Sequence, residues 1–178
     1  IQCLRNGFTS VMIDGSRLPL KENIRVTKEV TRAAHTVGVS VEAELGAIGG
    51  TEDGMTAKAN LVNVDDARCF LEEVTIEALA IGIGNAHGIY KSTPNLAFDR
   101  LEQVAALGGP ALVLHGGSGI PDDMIRKAIV MGIRKINVAT EVRLAFLEGF
   151  GLEVNSKDIY KAYQSAQAHA RKIISDKM

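Results

Sequence analysis

Asp14, Glu44, His87, His115 and Asn137 stand at comparable places along the chain. Each closes or just follows a short apolar run, at residues 10–13, 40–45, 78–83, 111–114 and 133–138. Any one of them alone reads as a turn former or loop cap. Repeated at five run ends, the same placement describes a shared face, because the carboxyl ends of parallel strands form the active face of α/β proteins. Two imidazoles and two carboxylates brought together there suit a divalent cation, zinc first. His87 and His115 lie too far apart to make a local ligand motif, so only the fold can pair them. His35, within a helix, and His169, on the last helix, read as ordinary surface or core histidines.

Glycines mark a second chemistry. His115-Gly116-Gly117-Ser118-Gly119 leads towards one helix start, and Asn137-Val138-Ala139-Thr140 towards the next. Backbone N–H groups at such places can cradle a phosphate, although a glycine turn with no ligand is equally ordinary. Gly82-Ile83-Gly84 lacks the third glycine and the later acidic residue of a dinucleotide fingerprint, and no Walker lysine is present.

The elements that must position these residues follow one rhythm of strand, turn and amphipathic helix. Pro19 opens a helix carrying Leu20, Ile24, Thr27, Val30, Ala34 and Val37 at helical spacing, and Gly38 stops it. Asn63 caps another, with Asp65 and Asp66 in its first turn. Further helices run around Phe98–Leu107, from Pro121 to Gly132, after Thr140, and over about residues 158–172. Between Gly46 and Val62 the pattern shows little periodicity, and a loop of that length suggests function. Strands alternating with helices predict parallel βαβ units, either an open doubly wound sheet or part of a (β/α)8 barrel. The 178 residues fit one domain, residues 1–178.

Composition narrows the partners. With 20 Lys+Arg against 21 Asp+Glu, the chain has no basic footprint for nucleic acid or an anionic membrane. No apolar run approaches the length of a bilayer span. Two cysteines, Cys3 and Cys69, make no disulfide framework, so a reducing cytoplasm is expected.

Six ordered segments carry a family resemblance: Val11-Met12-Ile13-Asp14-Gly15-Ser16, Val41-Glu42-Ala43-Glu44-Leu45-Gly46, Gly49-Gly50-Thr51-Glu52-Asp53, Ala86-His87-Gly88-Ile89-Tyr90-Lys91, Leu114-His115-Gly116-Gly117-Ser118-Gly119, and Lys135-Ile136-Asn137-Val138-Ala139-Thr140-Glu141. Together they resemble the class II, zinc-dependent ketose-bisphosphate aldolases, the fructose- and tagatose-1,6-bisphosphate enzymes. The resemblance implies a TIM barrel, of which this chain would hold about the last five βα units and a C-terminal helix. It implies aldol cleavage of a phosphorylated ketose to triose phosphates, Zn2+ with room for a monovalent cation, and a homo-oligomer, dimer or tetramer. His87 and His115 match zinc histidines, and Asp14 and Glu44 match carboxylates of an alternative metal position. Gly88, Gly116, Gly117, Ser118, Asn137, Val138, Ala139 and Thr140 match substrate-binding segments. Glu52 lies where a mobile-loop glutamate transfers a proton.

One departure matters. The family's Asp-His pair at the end of barrel strand 3, which supplies the remaining zinc ligand and the acid/base for the C4 hydroxyl, is not among these residues. Two imidazoles alone would make a weaker, misshapen site. The expectation is an aldolase whose polypeptide extends beyond these residues. The competing expectation is an inactive or sugar-phosphate-binding chain that needs a complementing partner.

Overall fold

Short runs rich in Val, Ile, Leu and Ala become strands when both faces are covered. The computed structural model describes residues 1–52, 55–57, 60–90 and 92–178, without the side chains of 51, 52 and 55–57. In chain order the elements are α1 (Gln2–Arg5), β1 (Ser10–Ile13), α2 (Leu20–His35), β2 (Ser40–Leu45), β3 (Gly49–Glu52), β4 (Met55–Ala57), α3 (Val64–Glu73), β5 (Ala78–Ile81), β6 (Ala86–His87), α4 (Phe98–Ala105), β7 (Ala111–Leu114), α5 (Asp122–Val130), β8 (Ile133–Ile136), α6 (Thr140–Glu153) and α7 (Ile159–Lys177).

Five strands form one sheet in the order β1-β2-β5-β7-β8, parallel throughout. Register places Glu44, Ala80, Val113 and Lys135 in one row, and Met12 beside Glu42. Alternation along a strand puts these residues on the face opposite Val41, Ala43 and Leu45. Those three pack with Phe70, Leu79, Ile81, Leu101, Val104 and Leu112 into the core beneath the helices. The other face is curved. Glu42 on β2 and Lys135 on β8 are three strand spacings apart, about 14 Å on a flat sheet. Their side chains nevertheless meet at 2.7 Å, as the concave arc of a barrel requires.

Contacts group the chain into two units, Ile1–Asn137 and Val138–Met178. The first holds the sheet and α1 to α5. The second is a helix pair. α6 runs into a short 3-10 turn, Lys157 reverses the chain in a left-handed conformation, and Asp158 caps α7 by accepting from Tyr160 N–H and Lys161 N–H. Gly149 lets α6 approach α7, since a Cβ there would press on the Ser165 carbonyl at 2.6 Å.

Several expected boundaries move. The segment read as an aperiodic loop after Gly46 contains β3 and β4, paired antiparallel, with β3 also paired parallel to β6. Gly-Gly-Thr-Glu carries no alternation of apolar and polar residues that would announce a strand. β5 ends at Ile81 instead of Ile83, because Ile83 N–H turns to the Asn85 side chain at 2.9 Å. β8 ends at Ile136 instead of Val138. α7 continues to Lys177, past the expected 172, since no Gly or Pro interrupts it. Among the described residues no helix is long and apolar enough to cross a membrane.

Candidate functional site

On the concave face, β2 presents Glu42 and Glu44, both buried. β7 delivers His115 immediately after its last residue. The ring lies between the two carboxylates, with Nε2 2.7 Å from Glu42 Oε1 and Nδ1 3.7 Å from Glu44 Oε2. The first distance is a hydrogen bond and the second is not. Glu42 uses its other oxygen to accept from Lys135 Nζ at 2.7 Å. Burial pushes the Glu42 carboxyl up, but the His115 and Lys135 contacts outweigh it and hold the group below the usual carboxylate range.

Glu44 has the opposite electrostatics. Burial, then the neighbouring charge of Asp14, push its carboxyl up to about 7, although His115, the Ser16 hydroxyl and the Ile48 N–H oppose the rise. Asp14, just past β1, accepts from Ser16 N–H at 2.9 Å, which fixes the turn. Buried Asn23 on α2 donates to the Glu44 carbonyl at 3.0 Å and accepts from Thr27 Oγ1 at 3.2 Å. Gly15 makes room for that amide, since a Cβ there would clash with it. The polypeptide thus puts two carboxylates side by side at the ends of β1 and β2, an arrangement that a bound cation would relieve.

His87 reaches the same place from β6. Its ring stands edge-on to His115, with centroids 5.8 Å apart and an interplanar angle of 69°. Two polar side chains, buried Asn85 and half-buried Tyr90, tie the histidine segments together. Asn85 donates to the His115 carbonyl at 2.9 Å. Tyr90 Oη accepts from Ala86 N–H at 2.7 Å and donates to the Gly116 carbonyl at 3.0 Å. Burial raises the Tyr90 phenol above its usual value, so it stays a donor at neutral pH. Gly116 has φ +63°, and a Cβ would fall against the Ala86 carbonyl oxygen, so only glycine fits between the two segments.

The structure therefore brings Asp14, Glu44, His115 and His87 into one chain of neighbours. As the side chains stand, no three His, Cys, Asp or Glu among the described residues converge closely enough to hold a metal ion. The set suits a cation in donor type and charge and is incomplete as a coordination shell. Gly88, with φ +94°, follows His87 directly. Gly117 and Ser118 are buried beyond Gly116. The Gly117 N–H donates to the Asn137 carbonyl at 2.9 Å, so that amide serves the backbone. Asn137 in turn donates its N–H to the Leu114 carbonyl at 3.0 Å. Val138 and Ala139 open the second unit, and Thr140 is the first residue of α6. Glu52 belongs to β3 by its backbone, opposite Met55. Its side chain lies outside the described residues.

Sequence reasoning missed Glu42, Lys135, Asn23, Asn85 and Tyr90. Glu42 had a signal, an acidic residue two places before Glu44 and hence on the same strand face. Lys135 had none, since its partner is three strands away.

This fold and site define a parallel α/β protein whose reactive groups gather at the carboxyl ends of a curved sheet. The family pattern of class-II fructose-bisphosphate aldolase matches residues 1–178. The chain belongs to that family. It is 51% identical over 148 residues to a fructose-bisphosphate aldolase of Streptococcus pyogenes serotype M3, covering 82% of this chain and 50% of the relative. It is 46% identical over 160 residues to a 6-phospho-5-dehydro-2-deoxy-D-gluconate aldolase of Halalkalibacterium halodurans, covering 89% of this chain and 56% of the relative. In three dimensions it matches the YdjI aldolase of Escherichia coli K12 with a TM-score of 0.85 and 31% identity, over 99% of this chain and 61% of that one. The chain spans about half the length of the curated relatives it matches.

Proposed function

We propose that this chain carries the metal-facing part of a class II aldolase that cleaves a phosphorylated ketose into two three-carbon products, and that it works within a polypeptide longer than 178 residues. The observation that carries this reading is the setting of His115: Glu42 on one ring nitrogen, Glu44 beyond the other, and His87 against the ring. His87, His115 and Glu44 are the residues that would hold zinc, with Asp14 beside them. Remaining ligands come from residues outside this chain. When bound, the metal supplies a Lewis acid for the substrate carbonyl.

The chain's own residues orient and protect. Glu42 and Lys135 fix the His115 ring. Asn85 and Tyr90 keep the two histidine segments together, so the donors do not drift by the ångström that costs rate. Gly88, Gly116 and Ser118 line the substrate, and the small residues leave space for a phosphate. Cleavage breaks one carbon–carbon bond: the electron pair stays on the fragment next to the carbonyl, while the hydroxyl of the departing carbon gives its proton to an acceptor outside this chain and becomes the new aldehyde. Glu52 then gives a proton to the carbon left with the pair. The dipole end of α6, with Val138, Ala139 and Thr140, is a further anion-binding element in this reading.

The substrate is a ketose 1,6-bisphosphate, fructose or tagatose. The 6-phospho-5-dehydro-2-deoxy-D-gluconate enzyme among the relatives makes that ketose the second choice. The test is cleavage by the full-length protein, measured as triose phosphate release, with each of the three substrates, before and after EDTA and after Zn2+ is restored. Loss with EDTA and recovery with Zn2+ is expected. Turnover that survives exhaustive chelation would remove the metal role, and no cleavage of any of the three would remove the aldolase reading.

A further inference from the structure

We propose that Glu42, anchored by Lys135, is the positioning residue that fixes the tautomer and orientation of His115 and turns Nδ1 towards the site. The inference rests on the function proposed above only in giving Nδ1 a metal to meet. Two carboxylates flank this ring, and they are not equivalent. Glu42 is within hydrogen-bond distance at 2.7 Å, and Glu44 at 3.7 Å is not. Of the two flanking carboxylates, Glu42 is the one that can define where the ring proton sits.

The Lys135 ammonium on the second oxygen of Glu42 makes that carboxylate an anion, hence an acceptor only. An anionic acceptor at Nε2 requires a proton on Nε2. A neutral ring then has its lone pair on Nδ1, the edge that faces Glu44. A hydrogen-bonded carboxylate behind an imidazole also raises its basicity as a ligand and holds its plane. Without Lys135, Glu42 would be a buried charge with only an imidazole beside it, which is costly. The relay therefore runs from β8 through β2 to the end of β7, across the concave face. It exists only because the sheet is curved enough to bring Lys135 to Glu42.

The experiment uses the full-length protein with ¹⁵N-labelled histidine, free of metal. Two-bond ¹H–¹⁵N correlations read the His115 tautomer directly, and chelator competition reads the dissociation constant of Zn2+ alone. The unsubstituted protein and Lys135→Arg should both show His115 protonated on Nε2. Glu42→Gln can either accept from or donate to the ring, so it should lose the single tautomer, as should Lys135→Met. Zn2+ affinity should fall about 10- to 100-fold in Glu42→Gln and Lys135→Met and return to within about threefold in Lys135→Arg. If Glu42→Gln does not fold, Lys135→Met, a replacement of similar volume, carries the test. A Lys135→Met protein with an unchanged tautomer and unchanged Zn2+ affinity would overturn the proposal. Substrate cleavage by the unsubstituted protein, run in parallel, separates the two readings. Inactivity with the Nε2-protonated ring in place overturns the aldolase function alone, and activity with a tautomer indifferent to Lys135 overturns the relay alone.

Discussion

His115 is the residue on which the site converges, touching Glu42, facing Glu44 and packing on His87. His115→Ala and His87→Ala in the full-length protein should each lower Zn2+ binding and cleavage together, by at least about a hundredfold in kcat/KM. Normal zinc-dependent turnover in either variant would contradict the ligand assignment. Glu52→Ala should slow the proton-transfer step and leave bound zinc unchanged; equal kinetics with and without Glu52 would end that role. At this scale the sequence was legible where polarity met a strand end. Asp14, Glu44, His87 and His115 all interrupt apolar runs, and the structure makes them neighbours. Lys135 was not legible. It sits mid-strand in Ile-Arg-Lys-Ile, where a lysine reads as a solvated face, and its meaning depends on curvature that no local pattern encodes.

Among the elements, the connections decide how well the histidines are held. Gly116 adopts φ +63° against the Ala86 carbonyl. Gly116→Ala should therefore cost about 2–3 kcal/mol and lower the melting temperature by roughly 4–12 °C; calorimetry showing no change would mean that the two segments are not pressed together. At the other end of the strands, Glu77 just before β5 accepts from Val41 N–H at 2.7 Å, with His35 Nε2 3.1 Å from its carboxylate. The Val41 bond outweighs the opposing push from burial, and the His35 contact adds to it, so the carboxyl is held below its usual value. A depressed folded-state value adds stability that is complete above the unfolded pKa and lost as pH falls through the folded one. Glu77→Gln should thus lower stability at neutral pH, leave it nearly unchanged at low pH, and so flatten the acid limb below about pH 4. An unchanged acid limb would contradict this. Helix starts were easy to read because their chemistry is local: Asn63 accepts from Asp65 N–H at 2.9 Å and Asp66 N–H at 3.1 Å, as its position before two acidic residues implies. β3, β4 and β6 were not, because strands of two to four residues without an apolar run declare themselves only through their partners.

The molecule as a whole offers a curved parallel sheet whose order begins with β1 and ends with β8. Strand edges of that kind present rows of backbone donors and acceptors that invite pairing with other chains. The 178 residues expressed by themselves should self-associate, and the full-length protein should elute as one defined species in light-scattering chromatography. A monodisperse 178-residue monomer would contradict that view of the edges. The alternation of strands and helices was enough to predict parallel βαβ units, while the choice between an open sheet and a barrel arc needed the family segments. The structure shows the reason: the physical sign of the arc is the contact between Glu42 and Lys135, which is invisible until the strands are ordered in space.

If the strand ends of this chain hold the catalytic metal, as proposed, the zinc position in crystals of the full-length protein, located from its anomalous scattering, shows it. A zinc ion is expected about 2.0–2.1 Å from His115 Nδ1 and from a ring nitrogen of His87, with Glu42 still bonded to His115 Nε2. Zinc bound elsewhere, or bound without His115, would contradict it.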